Sequence, residues 1–182
     1  MILRNLAASL SQAWQRTGSG ARLTVGVLIC LAVMLLGVRP VEVFGLTIPW
    51  PYASLWAAVG WAGAGLSARP MLPLVILGLV QDALLNAPLG CLVIVNLITF
   101  GLHAGLMGLI GSERDAFASR VLPPMTLAVG ATMVWIVATG VVTHPVRLAP
   151  ILLSYLATVV GFLILRPLFN PGMDRALSGG RG

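Results

Sequence analysis

The chain has 182 residues, of which 58% are hydrophobic and only 9% are charged. In soluble domains about a quarter of all residues are charged, so this composition excludes an ordinary soluble domain. Apolar runs close to the length of a bilayer span recur along the sequence, which indicates a polytopic membrane protein. The net charge is +6 and every basic residue is arginine. These arginines stand singly at the ends of apolar runs, so they indicate membrane topology and not a nucleic-acid surface.

The first 21 residues precede the first apolar run. Leu3, Leu6 and Leu10 recur at helical spacing and polar residues occupy the other faces. This pattern predicts a short amphipathic helix on the inner leaflet, anchored by Trp14. A disordered basic leader is the alternative. At the other end, the glycine-rich residues 169–182 are expected to form a flexible cytoplasmic tail.

A membrane domain is predicted over residues 22–168, as a compact all-α bundle of six transmembrane helices. The apolar runs that define the spans are 22–38, 52–68, 71–86, 89–111, 121–143 and 148–168. The second run is rich in glycine, alanine and tryptophan, and the third is short. Short spans persist only when they pack against protein or when the bilayer thins locally. The alternative is therefore five spans with a re-entrant third segment.

The distribution of arginines tests the number of spans. With a cytoplasmic N-terminus, nine of the 11 arginines fall on the inner side, and only Arg39 and Arg147 fall outside. Cytoplasmic segments carry the excess of basic residues in membrane proteins. The sequence therefore predicts an even number of spans, with both termini in the cytoplasm.

One carboxyl group, that of Asp82, lies inside a long apolar run. A charged side chain at the centre of a span costs roughly 2.5–3.5 kcal/mol on insertion scales, so a chain that keeps this residue must satisfy it. We expect Asn96 to do so, with Ser154 as a further candidate, because depth estimates place both near Asp82. A turn through Asn86, Pro88 and Gly90 ends the run.

The fourth span carries two stripes on opposite faces. Polar residues form one stripe and small residues the other, and the second span adds further small residues. We expect the fourth span to be central and contacted on both sides, and its glycine face to be either an internal packing face or a partner site. The polar stripe is Asn96, Thr99 and His103, and the candidate small-residue faces are Gly101, Gly105, Gly108, Gly60 and Ala64.

The sequence lacks the residue patterns of a membrane enzyme. An intramembrane aspartyl enzyme needs two carboxyl groups that share a proton, and only Asp82 is expected to be buried. No metal-ligand or phosphate-cradling motif occurs. His103 is either a proton carrier or a hydrogen-bonded interior residue, and the two cysteines, Cys30 and Cys91, are expected to be unpaired. We therefore expect no enzyme, no metal and no cofactor.

The segment around Asp82 contains a distinctive set of short motifs. They are Arg69-Pro70, Leu72-Pro73-Leu74, Gly78-Leu79-Val80-Gln81-Asp82 and Ala87-Pro88-Leu89-Gly90. This set resembles the signature of the MreD family of rod-shape-determining membrane proteins. The resemblance spans residues 22–168 and is specific over 69–111. It implies a fold like that of the substrate-binding subunits of energy-coupling-factor transporters.

The resemblance implies a non-enzymatic scaffold in the bacterial inner membrane. MreD-like proteins work with the bitopic protein MreC, the MreB filament and a RodA-type glycosyltransferase with its transpeptidase, in peptidoglycan synthesis and cell-shape control. The cytoplasmic loop 112–120 and the N-terminal helix are then candidate contacts for cytoplasmic partners, or ordinary solvated charge. The alternative function is a small-molecule-binding subunit of a transporter, with the polar stripe and Asp82 lining its pocket.

Overall fold

A computed structural model describes residues 18–37, 41–43, 46–48, 50–63, 68–110, 116–141 and 148–169. The helices are α1 (Ser19–Leu36), α2 (Ala53–Ala62), α3 (Met71–Leu84), α4 (Cys91–Ile110), α5 (Ala116–Val141) and α6 (Leu148–Phe169). The predicted N-terminal helix, Ala64, the acidic part of the loop 112–120 and residues 170–182 of the predicted tail lie outside the described residues. The prediction that the flexible tail begins at residue 169 is wrong at that residue, because Phe169 ends α6 and is fully buried.

One element departs from the all-α prediction. Between α1 and α2 the chain forms an antiparallel hairpin of two three-residue strands, β1 (Val41–Val43) and β2 (Leu46–Ile48). Glu42 pairs with Thr47 at the centre of the hairpin. Valine, isoleucine and threonine favour strands. The short connection between the two helices therefore contains paired strands instead of extending either helix.

Four of the helices are long and apolar enough to cross a membrane. They are α1, α4, residues 120–137 of α5 and residues 149–169 of α6. Their outward side chains are apolar as well, among them Leu35, Ile94 and Ile164. Exposed apolar surface on this scale is typical of contact with lipid and not with water. The length and composition of these four helices are consistent with a helical membrane protein.

The helix α2 is the centre of the bundle. It has 10 residues, nine of which are buried, and it contacts each of the other five helices. A helix that is apolar all round is surrounded either by protein or by lipid, and the burial and contacts of α2 show that it is surrounded by protein. The prediction that the fourth span, α4, is the central helix contacted on both sides is wrong, because α2 occupies that place.

The helix α3 is also short, with 14 residues, or about 21 Å at the helical rise. Leu74 and Leu77 are fully buried against the bundle, while Leu72 and Ile76 face outward. An amphipathic distribution of this kind is typical of a helix at the border between protein and lipid. The second and third predicted spans are therefore both present as helices, and both helices are shorter than the roughly 30 Å of a hydrocarbon core.

The helices approach each other most closely at glycines. The side chain of Phe169 lies where a Cβ on Gly60 would stand, and the indole of Trp56 lies where a Cβ on Gly161 would stand. The rings of Trp56 and Phe169 meet edge to face with centroids 6.5 Å apart. Gly60, predicted as a packing or partner residue, is therefore an internal packing position between α2 and the end of α6.

Candidate functional site

Asp82 binds the start of the next helix. Its side chain is completely buried. One carboxyl oxygen, Oδ2, accepts a hydrogen bond of 2.8 Å from the backbone N–H of Gly90, and the other, Oδ1, accepts one of 3.0 Å from the backbone N–H of Leu92. The first N–H groups of a helix have no partner within it. Asp82, at the end of α3, therefore caps the N-terminus of α4.

The turn between α3 and α4 has a defined geometry. Asn86 has a φ of 51°, the left-handed conformation that asparagine tolerates best after glycine. The N–H of Ala87 bonds the carbonyl of Asp82 at 2.9 Å and that of Asn86 bonds the carbonyl of Ala83 at 3.4 Å, which is the Schellman arrangement of a helix end. Gly90 has a φ of 98°, a conformation that strongly favours glycine.

This geometry corrects the predicted partners of Asp82. The side-chain amide of Asn96 has no hydrogen-bond partner at either Oδ1 or Nδ2 in the described part of the chain, although the residue is fully buried. The hydrogen bonds of the Asp82 carboxyl group within the described residues go to Gly90 and Leu92, and none goes to Ser154. The prediction that Asn96 and Ser154 satisfy Asp82 is wrong, because backbone N–H groups do so.

His103 is a hydrogen-bonded interior residue. Its Nδ1 lies 2.9 Å from the hydroxyl of Thr126 on α5. The same hydroxyl lies 3.0 Å from the carbonyls of Leu122 and Pro123. A hydroxyl has one proton to donate, so when that proton goes to a carbonyl, Nδ1–H of the imidazole donates to the oxygen of Thr126. The interaction joins α4 to α5.

The rest of the polar stripe on α4 is buried without partners. Thr99 is fully buried, and its hydroxyl has no hydrogen-bond partner among the residues described. It lies beside Gly130 of α5 and Leu55 of α2. Ser54 of α2 is 1% exposed, and its hydroxyl is likewise unpartnered within those residues. Unpartnered buried polar groups cost about 1–3 kcal/mol each, so the hydroxyl groups of Thr99 and Ser54 lower the free energy of unfolding of the bundle.

The glycine face of α4 is open. No atom of the described residues lies within 4 Å of the place where a Cβ would stand on the three glycines. Two exposed isoleucines continue the same face toward the start of the helix, with spacings of four, three, four and three residues, the pattern of a helix–helix seam. We call this face the α4 seam; its residues are Ile94, Ile98, Gly101, Gly105 and Gly108.

The contacts between α2 and α6 were not predicted. The indole N–H of Trp56 donates to the carbonyl of Thr158 at 2.7 Å, and the backbone N–H of Tyr52 donates to the hydroxyl of Thr158 at 2.9 Å. A single threonine in an apolar run has no distinctive pattern. The presence of tryptophan in the second span was the available signal, because a buried indole N–H usually finds a partner.

The described ranges contain no cluster of side chains suited to a metal ion. No three histidine, cysteine, aspartate or glutamate side chains there are grouped so that they could hold a metal ion. Both cysteines are free, Cys30 buried and Cys91 partly buried. Cys30 donates its S–H to the carbonyl of Ala53 at 3.2 Å, a packing role.

Comparison of the chain with protein families, with characterised proteins and with solved structures finds no match. The candidate site is therefore defined by its geometry: a capped turn that fixes the start of α4, and an open seam along the same helix.

Proposed function

We propose that this protein is a membrane scaffold of the bacterial cell-elongation complex. In this proposal it binds the transmembrane helix of an MreC-like bitopic partner along the α4 seam. A RodA-type glycosyltransferase with its transpeptidase and the MreB filament are the further partners, and both termini lie in the cytoplasm of the cell. The observation that carries the proposal is the α4 seam, an open face with helix-packing periodicity.

The seam fits one helix better than it fits lipid. Lipid chains gain nothing from a row of glycines, whereas a second helix can bring its backbone close to one. Association in membranes relies on such van der Waals contact, because apolar burial gives no driving force between helices in lipid. Ile94 and Ile98 widen the face at one end, and Gly101, Gly105 and Gly108 let a partner approach closely at the other.

The opposite face of α4 is held rigidly, which suits a docking surface. Val95 and Phe100 are buried in the core, Asp82 fixes the first turn, and His103 bonds Thr126 on α5. A partner that meets a preorganised face loses less conformational entropy on binding. The turn of Asp82 and Gly90 is also where the resemblance to MreD is densest, so the proposal assigns that signature to setting the position of α4.

The test is co-purification with the MreC-like protein from the same source, in mild detergent. Gly105→Leu places a side chain on the α4 seam at a position where nothing in the described bundle opposes it. The matched control is Gly140→Leu, which changes an equally open glycine on α5. We expect the complex to form with the wild type and the control and to be lost with Gly105→Leu, while all three proteins keep the same thermal stability.

The same experiment distinguishes the scaffold function from the alternative, a ligand-binding subunit of a transporter. A transporter subunit would be stabilised by a small ligand and would co-purify with no MreC-like protein. The polar stripe does not favour that alternative, because Asn96, Thr99 and His103 are buried to 3% exposure or less and line neither of two cavities found in the described bundle. Retention of the complex by Gly105→Leu would exclude the α4 seam as the contact.

A further inference from the structure

A small cavity lies at the end of the bundle where α1 and α3 finish and α2 begins. Its volume is about 70 Å³, and it is partly open to the surroundings. A cavity on the order of 150 Å³ holds benzene, so this one suits a group of a few heavy atoms. The residues that argue for its chemistry are Gly37, Trp50, Tyr52, Gln81 and Leu85, which belong to its wall.

The wall of the cavity is uncharged but presents an acceptor. None of its nine residues carries a charge. Gln81 is 5% exposed, and its Oε1 has no hydrogen-bond partner in the described part of the chain. An amide oxygen accepts hydrogen bonds and cannot donate them. The unmet requirement at this position is therefore a hydrogen-bond donor.

Two helix ends add negative potential to the same place. The α1 helix ends with its C-cap at Gly37 and α3 ends with its C-cap at Leu85, and neither has a basic residue in its last turn. The C-terminus of a helix carries the equivalent of about half a negative charge. The N-terminus of α2, with its N-cap at Tyr52 in the same wall, contributes about half a positive charge. Two C-termini against one N-terminus leave a negative balance that favours a cation, which no described side chain of the wall supplies.

The aromatic residues favour the same kind of ligand. Trp50 and Tyr52 belong to the wall, and the faces of such rings attract ammonium groups. Tryptophan and tyrosine are also enriched at the level of lipid headgroups, and the cavity lies at a helix end, where headgroups are within reach. The acceptor, the helix ends and the aromatic rings agree on one class of ligand.

We propose that this cavity binds the primary ammonium of a lipid headgroup, such as the ethanolamine of phosphatidylethanolamine, with Gln81 as the hydrogen-bond acceptor. Oε1 is shielded in this structure, so the amide of Gln81 turns toward the cavity on binding and Oε1 accepts a hydrogen bond from the ammonium. The acyl chains lie outside along the apolar surface of α1 and α3. The site lies on α1, α2 and α3, apart from the α4 seam, so its occupancy does not depend on the proposed scaffold function.

The test is native mass spectrometry of the whole protein in mild detergent with added lipid. Phosphatidylethanolamine is compared with phosphatidylglycerol, which carries no ammonium, and with phosphatidylcholine, whose ammonium has no hydrogen to donate. We expect the wild type to bind phosphatidylethanolamine several-fold more tightly than either. In Gln81→Met the affinity for phosphatidylethanolamine falls about tenfold, the effect of one hydrogen bond to a charged group.

The control variant is Ser54→Ala, which removes another buried and unpartnered polar group, one that does not line the cavity; it keeps the preference. Equal binding of all three lipids by the wild type overturns the proposal without any variant. An unchanged preference in a folded Gln81→Met also overturns it. If soluble glycerophosphoethanolamine displaces the lipid at equal concentration, the site takes a soluble amine, and the lipid assignment is wrong.

Discussion

Oδ1 of Asp82 accepts a hydrogen bond of 3.0 Å from the backbone N–H of Leu92, ten residues further along the chain. The contact joins the last turn of α3 to the first turn of α4. An acid inside an apolar run is thus satisfied without a second charged residue. Its partners are backbone N–H groups that every helix N-terminus leaves unbonded, and a helix N-terminus also favours negative charge.

Replacing Asp82 tests this cap directly. Asp82→Ala leaves the buried N–H group of Leu92 and the partly buried N–H group of Gly90 without acceptors, at about 1–3 kcal/mol for the buried group and less for the other. We expect a loss of about 3 kcal/mol, or roughly 10 °C in Tm, measured by thermal unfolding in detergent. Asp82→Asn keeps one acceptor oxygen and should lose about half as much.

The order of the two Asp82 variants is the informative result. An Asn variant as stable as the wild type would mean that the two N–H groups do not both bind the carboxyl group. Ser54→Ala is the control, since the Ser54 hydroxyl is buried with no partner in the described residues, and its removal should leave Tm unchanged or slightly raised.

Two buried threonines allow a matched comparison of the polar stripe. Thr126 is 1% exposed and bonds His103, whereas Thr99 is fully buried with an unpartnered hydroxyl. Thr126→Val should lower the stability by about 1–3 kcal/mol, because the imidazole loses its partner. Thr99→Val removes only an unmet group and should be neutral or stabilising.

Thermal unfolding of both threonine variants, prepared in the same detergent, decides the question. Equal destabilisation by the two substitutions would contradict the contrast, since it would mean that Thr99 also has a hydrogen-bond partner. The double change His103→Phe with Thr126→Val should cost less than the sum of the single changes, because the two side chains interact.

The indole of Trp56 provides a similar test of the contact between α2 and α6. Trp56→Phe removes the 2.7 Å hydrogen bond to the carbonyl of Thr158 and part of the packing against Gly161. We expect a loss of about 2 kcal/mol in thermal unfolding. Trp135→Phe is the control, because the buried N–H of Trp135 is without a partner in the described residues. A larger effect at Trp135 would contradict the assignment.

The sequence indicated the place of the Asp82 turn but not its partners. An acid in an apolar run stands out, and asparagine, proline and glycine mark a turn whatever surrounds them. The depth of Asp82 in its run pointed to polar side chains at the same depth as partners of its carboxyl group. The actual partners are backbone N–H groups of the next helix, which no residue type marks in the sequence. The central position of α2 has no such signal either, because residues 53–62 are apolar or small on every face and this pattern is shared by helices inside a protein and helices that face lipid.

The open and closed glycines were not distinguishable from sequence. Gly60 and Gly105 both lie among small residues in apolar runs, yet Phe169 packs against Gly60 and nothing in the described bundle approaches Gly105. Which glycine is covered depends on the way α6 returns across α2, a long-range arrangement. Spacing identifies a face that permits close approach, and only the fold decides whether this chain already occupies it.

That difference gives the final prediction, a matched pair of glycine substitutions. Gly60→Leu places a side chain where Phe169 already packs, and forced overpacking of this kind costs about 1–3 kcal/mol or more. Gly105→Leu meets open space and replaces a poor helix former, worth up to about 1 kcal/mol, so its Tm should equal or slightly exceed that of the wild type. The two variants should also differ in how they lose partner binding. Gly105→Leu should lose the MreC-like protein while it is still folded. Gly60→Leu keeps the α4 seam, so it should lose binding only when it unfolds. Thermal unfolding and co-purification on the same preparations separate the two effects, and a destabilised Gly105→Leu would show that the α4 seam is covered by the chain itself.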